Sequence, residues 1–328
     1  MKPLVLPPNV LRHFYAGGAR IAALRGLNLP DDHMPEEWIG AVSTTFGSTT
    51  RGLSHLDDGS LLRDRIAQDP EAFLGPEHVA RFGADPALLV KLLDAGQRLP
   101  VHFHPGRAFA RKELHSPHGK TEAWIIVHAE PQAAVHVGFN EDVEPETVRT
   151  WMREQDAEAM LAAMQKVVVT AGDAIFVPAG TPHAIGEGIL LVELQEPTDF
   201  SVLLEWDGFE LTEDEGHLQL GWDRALQDLD RTAWDDARLA ALRPPNGRLL
   251  PQTADPYFRA ERIGGGTKLE AGFAIVVVLS GEGSLGELAI EKGDAVLVPY
   301  AAGPAELQGD IDAIRCRPPD PQAAEGRW

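Results

Sequence analysis

Four residues in three separate segments have the types and spacing of a metal site. His102 and His104 are separated by one residue after a short apolar run. Residues i and i+2 of a β-strand face the same side, so both imidazoles would point one way. Glu122 stands at the start of an apolar segment, where an unpaired carboxylate would be costly to bury. His183 directly follows a Gly-Thr-Pro turn. The pattern predicts one divalent cation bound by His102, His104, Glu122 and His183.

The donor set restricts the type of metal. Imidazole nitrogens and a carboxylate oxygen, with no sulfur, suit zinc, iron, manganese, cobalt or nickel. We expect Zn²⁺, with the other four as alternatives. Cys316 is the only cysteine, which excludes an intrachain disulfide and a thiolate cluster and is typical of a reducing compartment.

Short strands must position these residues, because 25 prolines and 32 glycines interrupt the chain. The predicted strands are 86–95, 99–104, 123–128, 133–139, 166–170, 174–178, 189–195, 200–206, 258–263, 273–279, 285–290, 295–299 and 312–317. The predicted helices are 59–68, 75–83, 145–164 and 211–243. Residues 1–58 are predicted to be rich in loops.

An internal repeat indicates two copies of one fold. The segment 171–180 and the segment 291–300 both contain a Gly-Asp turn, an apolar strand and a proline stop. Together with the histidine and glutamate pattern, which is the arrangement found in cupins, the repeat predicts an all-β-dominated double cupin. Such a fold consists of two jelly-roll β-barrels, here with a few helices inserted.

The predicted domains are a metal-binding cupin domain at 1–207, a helical linker or crossover at 208–246, and a degenerate cupin domain at 247–328. The cluster Pro244-Pro245-Asn246-Gly247 favours the second boundary. Since no histidine follows His217, we expect the second barrel to lack a metal.

Charge argues against several classes of partner. The chain has 50 acidic against 29 basic residues and a net charge of −21, which opposes nucleic acid and anionic membranes. We expect neither partner. The N-terminus lacks the apolar region of a signal peptide, and no apolar run is long enough to span a bilayer. These features predict a cytoplasmic protein.

Four motifs resemble those of the type I mannose-6-phosphate isomerases. They are Leu89-Val90-Lys91-Leu92-Leu93-Asp94-Ala95, His102-Phe103-His104-Pro105, Gly119-Lys120-Thr121-Glu122-Ala123-Trp124 and Pro178-Ala179-Gly180-Thr181-Pro182-His183-Ala184-Ile185-Gly186. The resemblance covers most of 1–207. It implies zinc in the first barrel and interconversion of an aldose and a ketose phosphate, such as mannose 6-phosphate and fructose 6-phosphate, through a cis-enediol.

The resemblance also implies roles for individual residues. The zinc ligands of the family fall on His104, Glu122 and His183, and His102 stands where the family usually has glutamine. Lys120 and Glu193 match the catalytic positions: Glu193 as a base or its orienter, and Lys120 as a group that holds a substrate oxygen or the phosphate.

One departure concerns the phosphate. Leu203 aligns with an arginine that serves catalysis and phosphate binding in the family, and leucine cannot bind an anion. Either Arg107 or Arg111 substitutes, or the substrate lacks a phosphate. We therefore expect a small sugar or sugar phosphate as partner, with Arg107, Lys120 and His115 as its binding residues.

Two alternatives to an isomerase remain at this point. The same ligand set with iron would suit another metal-dependent cupin enzyme, such as an oxygenase. A non-catalytic sugar-binding or regulatory cupin would explain the missing arginine by a loss of turnover.

Overall fold

Strand residues outnumber helix residues, 31% against 22%, in the computed structural model of the protein, which describes residues 1–242 and 248–323. This confirms the all-β-dominated prediction. The strands are β1 Leu4–Val5, β2 Val10–Leu11, β3 Glu36–Ile39, β4 Leu89–Ala95, β5 His102–Phe103, β6 Glu122–Ala129, β7 Ala134–Phe139, β8 Met164–Val168, β9 Ala174–Val177, β10 His183–Ile185, β11 Ile189–Gln195, β12 Val202–Leu203, β13 Arg259–Gly264, β14 Lys268–Leu269, β15 Ala274–Leu285, β16 Leu288–Glu291, β17 Ala295–Val298 and β18 Ala305–Arg317.

The helices are short and lie between the strands. They are α1 Ala19–Arg25, α2 Leu62–Gln68, α3 Pro70–Leu74, α4 Pro76–Phe82, α5 Arg107–Glu113, α6 Pro145–Glu154, α7 Ala157–Ala162, α8 Trp222–Ala225 and α9 Asp236–Ala241, with 3₁₀ turns at Glu213–Glu215, Leu226–Asp228, Gln252–Ala254 and Tyr300–Ala302. Within the described ranges, none of the helices has the length and apolar character that crossing a membrane would require.

Two antiparallel sheets form the part of the fold that carries the predicted site. Six strands follow the order β2-β3-β4-β11-β6-β9, and five follow the order β12-β5-β10-β7-β8. Buried side chains from both sheets, among them Leu93 and Trp124 from the first and Val135 and Ile185 from the second, share one core cluster. The two sheets therefore face each other like the walls of a barrel.

The outer face of the six-stranded sheet packs against the C-terminal half of the chain. Val90 and Val192 on that sheet share a core cluster with Ile275, Leu297 and Ile314. The last three belong to a seven-stranded sheet whose main path is β1-β17-β15-β18-β13. Alternation of side chains along each strand lets one sheet serve two cores, with one face toward the barrel interior and the other toward the C-terminal sheet.

The N-terminus takes part in the C-terminal sheet. In β1, Leu4 pairs with Leu297 and Val5 with Val296. The segment that precedes the first barrel therefore adds an edge strand to the seven-stranded C-terminal sheet. The division of the chain at 207 and 246 stays a prediction, and the cluster at 244–247 lies outside the described residues.

Several predicted elements differ from the structure. The helix predicted at 145–164 is two helices, because Gln155 adopts a left-handed conformation with φ of 50° that ends α6, and the Asp156 side chain then caps α7 by accepting a hydrogen bond from the Ala159 N–H. The helix predicted at 211–243 consists instead of short helical turns separated by loops. A glycine at Gly221, with φ of 74°, is one of the interruptions.

The strand predictions near the site were too long. Only Val202–Leu203 of 200–206 and only His102–Phe103 of 99–104 are strand. The segment 1–58, predicted as loop, contains β1, β2, β3 and α1. Brief strands of two to four residues carry too little periodic pattern to be distinguished from loops.

Candidate metal centre and cavity

Strand pairing brings the predicted metal ligands together. His183 in β10 lies directly opposite His102 in β5, and on the other side of β5, Leu203 in β12 is also opposite His102. His104 follows the end of β5 by one residue, and Glu122 is the first residue of β6. All four side chains are buried. The three distant segments thus meet at one end of the barrel.

Backbone carbonyls orient the three imidazoles. The Nδ1 atoms of His102, His104 and His183 each lie 2.8 Å from a carbonyl oxygen, those of Pro100, Phe200 and Thr181 respectively. A carbonyl can only accept a hydrogen bond, so each Nδ1 carries the proton and each Nε2 keeps its lone pair. One nitrogen from each of the three histidines lies within 4.8 Å of the others. This is how metal-binding histidines are commonly held.

Glu122 borders the histidine set. Its Oε2 is 3.0 Å from the Nε2 of His104, and its Oε1 is 3.3 Å from the Nε2 of His183. The indole N–H of Trp124 donates to Oε1 over 2.9 Å and fixes the carboxylate. The Nζ of Lys120 lies 3.1 Å from Oε2 and 2.7 Å from the Nε2 of His104. A cation at this position would therefore share the site with the ammonium group of Lys120.

The electrostatics favour the metal-binding protonation states. Burial, and then the charge of Lys120, lowers the pKa of His104 to about 3. Burial and the neighbouring imidazoles hold the pKa of His102 well below its usual range, and burial lowers the pKa of His183. Burial alone would raise the pKa of Glu122, but Lys120 and His104 outweigh it and hold that pKa well below its usual range. Three neutral imidazoles and one carboxylate result.

Two fully buried atoms of this group show that a cation fits. Within the described part of the chain, neither Glu122 Oε2 nor His183 Nε2 forms a hydrogen bond, although the Lys120 ammonium lies 3.1 Å from that oxygen. A buried acceptor without a hydrogen bond is costly, and coordination of a cation would remove that cost for both atoms. The donor set of three nitrogens and one oxygen matches the sulfur-free sites of zinc and related divalent ions.

A second buried cluster lies beside the metal ligands. The hydroxyl of Tyr15 donates to Glu36 over 2.7 Å, and the Nζ of Lys91 is 3.1 Å from the other oxygen of Glu36. The same Nζ is 3.8 Å from Glu193 Oε2. The imidazole Nε2 of His13 is 3.3 Å from Glu36. Register explains part of the cluster, because Lys91 in β4 is directly opposite Glu193 in β11.

The pKa values of the two glutamates in this cluster are shifted in opposite directions. Burial raises the pKa of Glu193 to about 8, even though the charge of Lys91 opposes the rise. Burial would also raise the pKa of Glu36, but His13 and Lys91 outweigh it and hold that pKa far below the usual range. The cluster therefore pairs Glu36, which is ionised at neutral pH, with Glu193, whose pKa lies close to neutral pH.

Both clusters open into one cavity of about 360 Å³. Its lining includes Lys120 and Glu193, the two predicted catalytic residues, together with His102 and Glu122. The side chain of Leu203, at the position of the family arginine, also lines it. A cavity of this volume is in the usual range for small-molecule sites.

The structure does not bring Arg107 or His115 into the lining of this cavity. The Arg107 guanidinium donates to the buried carboxylate of Glu196 and to the carbonyl of Pro256, and it stacks over the ring of Tyr257 at 4.2 Å. His115 is exposed in the loop after α5, as is Arg111 within that helix. Their assignment to the substrate stays a prediction that their placement does not support.

The cavity residues to which the sequence analysis assigned no role include His13, Tyr15, Glu36, Arg51 and Lys91. One of them had a usable signal. Lys91 interrupts an apolar run of strand residues, and a lysine buried on a strand requires a partner. Glu36 lies in the segment Glu36-Glu37-Trp38, which is part of the family resemblance but suggested no role for it. Tyr15 had no signal, since it lies in a segment that was predicted to be loop.

Fold and site together define a cupin-type protein whose first barrel contains a buried group of residues that could hold a metal. No protein-family model matches the chain. The mannose-6-phosphate isomerase of Streptococcus mutans is 28% identical over 95% of this chain and 97% of its own length. Mannose-6-phosphate isomerase ManA of Bacillus subtilis is 27% identical over 95% of this chain and 98% of its own length.

Solved structures agree on the fold. The mannose 6-phosphate isomerase from Bacillus subtilis superposes with a TM-score of 0.76 at 22% identity, covering 97% of this chain and 100% of that one. A putative mannosephosphate isomerase from Archaeoglobus fulgidus gives 0.77 at 18% identity. The double-cupin prediction and the predicted resemblance are both confirmed: the chain has homologues named mannose-6-phosphate isomerase over nearly its whole length.

Proposed function

We propose that the protein is a metal-dependent aldose–ketose isomerase that interconverts mannose 6-phosphate, or a closely related sugar phosphate, with the corresponding ketose. The observation that carries the proposal is a buried set of three histidines and Glu122 that borders one cavity: His102 and Glu122 line that cavity, and so do Glu193 and Lys120. Homologues named mannose-6-phosphate isomerase match 95% of this chain and support this class of reaction.

The metal we propose is zinc, bound by His102, His104, His183 and Glu122. A divalent cation there would act as a Lewis acid that stabilises negative charge on the sugar oxygens. The nitrogen and oxygen donor set supports this choice, and one structural neighbour is a mannose 6-phosphate isomerase bound with zinc and yttrium.

Glu193 is the residue that we propose moves the proton between C1 and C2. In the forward direction the C2 proton passes to the Glu193 carboxylate and then to C1, while a proton moves from the hydroxyl oxygen on C2 to the carbonyl oxygen on C1. A pKa of about 8 makes Glu193 a stronger base than an ordinary carboxylate, and it lies close enough to neutral pH for both forms to be populated.

The two lysines support this transfer. Lys91, 3.8 Å from Glu193, stabilises the ionised carboxylate. Lys120 reaches both Glu122 and His104 with its ammonium group, so it can donate a hydrogen bond to a sugar oxygen held at the same place. Both ammonium groups are almost fully buried, which strengthens their electrostatic effect.

Proton NMR in D₂O tests the proposal. Wild-type protein supplied with zinc is incubated with mannose 6-phosphate, and the C1 and C2 protons of the two sugars are followed. We expect a new ketose signal and loss of the exchangeable proton. The Glu193→Gln variant keeps the size of the side chain but cannot accept the proton, and should lose at least 100-fold in rate, the order of a general base.

Three outcomes would distinguish the proposed mechanism from its alternatives. Turnover that survives in Glu193→Gln would transfer the proton step to another residue. Sugar binding without any exchange would favour a non-catalytic sugar-binding cupin. Metal analysis that finds iron rather than zinc, together with oxygen consumption, would favour an oxygenase.

A further inference from the structure

The cavity has three cationic side chains of lysine or arginine, and two of them are neutralised by carboxylates. The Nζ of Lys91 lies 3.1 Å from Glu36, and that of Lys120 lies 3.1 Å from Glu122. Both pairs are buried. Neither lysine is therefore free to neutralise a substrate anion without giving up an internal partner.

Arg51 is the third cation, and it has no such partner. Across residues 1–242 and 248–323, no carboxylate forms an ion pair with its guanidinium within 4.0 Å. The guanidinium donates a hydrogen bond to the backbone carbonyl of Arg12. The side chain is exposed and lines the cavity. It therefore lies at the mouth, whereas the metal ligands and Glu193 are buried at the inner end.

A tight turn presents Arg51 at this place. The N–H of Thr45 donates to the carbonyl of Arg51 over 2.9 Å, and the N–H of Arg51 donates to the hydroxyl of Ser48 over 3.0 Å. Gly47, with φ of 77° and open space beside it, completes the turn and also lines the cavity. Because both ends of the turn are bonded to each other, the backbone of Arg51 is held in position.

The surroundings make a cation necessary for an anionic substrate. Asp199, Asp214 and Glu215 also line the cavity, and the whole chain carries a net charge of −21. Leu203 contributes only an apolar surface. A phosphate dianion that enters here would be repelled by these carboxylates unless a guanidinium binds it.

We propose that Arg51 binds the phosphate group of the substrate at the mouth of the cavity and determines the preference for phosphorylated over free sugar. This inference rests on the proposed function. It fits the length of the ligand, because the phosphate of a hexose 6-phosphate is at the opposite end from C1 and C2. The reacting carbons would reach the buried residues while the phosphate stays at the mouth.

The first experiment compares mannose 6-phosphate with free mannose in wild type, Arg51→Gln and Arg51→Lys. A charge-assisted pair is commonly worth roughly 10- to 100-fold in affinity. We expect Arg51→Gln to raise KM for mannose 6-phosphate by about that factor, with kcat and the rate on free mannose changed less than about twofold. Arg51→Lys should recover part of the loss, since it keeps the charge but not the planar fork.

Arg12→Gln is the matched control. Arg12 is a neighbouring exposed arginine whose guanidinium is already paired with Glu210 at 2.8 Å, so its substitution should leave both KM values unchanged. Thermal unfolding of every variant, with melting temperatures equal to that of wild type, excludes a folding defect. An equal loss of rate on both sugars in Arg51→Gln would overturn the proposal, as would a KM for mannose 6-phosphate that does not change.

Calorimetric titration with inorganic phosphate separates this inference from the proposed function, because it needs no turnover. Phosphate binding by wild type that is lost in Arg51→Gln and kept in Arg12→Gln would support the inference even if no isomerisation is found. Isomerisation by wild type, with phosphate binding unaffected in Arg51→Gln, would refute the inference and leave the proposed function standing.

Discussion

The ion pair between Arg107 and Glu196 should stabilise the strand end next to the candidate site residues Lys120 and Glu122. The Glu196 side chain is 1% exposed and the Arg107 side chain 19%. The second oxygen of Glu196 accepts the N–H of Thr121 over 2.9 Å, and Thr121 lies between Lys120 and Glu122. Removal of the guanidinium would leave a buried carboxylate with that N–H as its remaining partner.

The size of the effect follows from the burial of the pair. Removing one partner of a fully buried ion pair costs about 3–5 kcal/mol. The partial exposure of Arg107 and the remaining Thr121 bond reduce this figure, whereas loss of the stacking on Tyr257 adds to it by about 0.5–1 kcal/mol. We expect Arg107→Met, which keeps most of the aliphatic bulk, to lower the free energy of unfolding by about 3 kcal/mol.

Urea unfolding of a double-mutant cycle measures this prediction. The variants are Arg107→Met, Glu196→Gln and the double variant, all with the same metal content. Because Glu196→Gln removes the charge but keeps an oxygen that can accept the Thr121 N–H, the double variant should be at least about 1 kcal/mol more stable than additivity predicts. A cost below about 0.5 kcal/mol for Arg107→Met, or strictly additive effects, would refute the reasoning.

Three further outcomes are expected. Glu122→Ala and His183→Ala should each abolish zinc retention, measured by metal analysis after dialysis, and full zinc occupancy in both would contradict the ligand assignment. Gly138→Ala should lower the free energy of unfolding by about 2–4 kcal/mol, because a Cβ there would lie 2.3 Å from the Trp234 ring and φ is 67°; an unchanged urea midpoint would contradict this. Glu36, whose pKa is held below its ordinary value of 4.5, should stabilise the fold above that pH and lose this contribution as the pH falls below it. Glu36→Gln should therefore flatten the dependence of unfolding free energy on pH below about 4.5, and an unchanged slope would show that Glu36 is not the titrating group.

Much of the fold could be predicted from local patterns. The strand predictions at 86–95, 123–128, 133–139 and 189–195 each coincide with most of an observed strand, because long runs of apolar residues carry a clear signal. The prediction of one helix at 211–243 was wrong, because the charged residues of this segment are common both to helices and to surface loops. The two-residue strands of the N-terminal segment depend on partners that lie far along the chain, such as Leu297 for Leu4.

The candidate metal ligands were accessible to sequence analysis for a physical reason. Two histidines at i and i+2 of a strand share a face whatever surrounds them, and a carboxylate or a third imidazole next to an apolar strand stands out because burial penalises it. The types and spacing of His102, His104, Glu122 and His183 therefore carried the prediction. The approach of His183 to His102 depended on the pairing of β5 with β10, and that of Glu122 depended on the packing of the two sheets against each other.

The sequence by itself determined which residues could bind a metal and which of the longer apolar segments would be strands, because both depend on the period of the strand and on the burial of apolar side chains. Only the tertiary structure decided which charges neutralise one another. It pairs Arg107 with Glu196 and Lys91 with Glu36 and Glu193, and among the described residues it leaves Arg51 without a carboxylate partner. Such pairings depend on distances of a few ångströms between residues far apart in the chain, and local sequence patterns do not specify those distances.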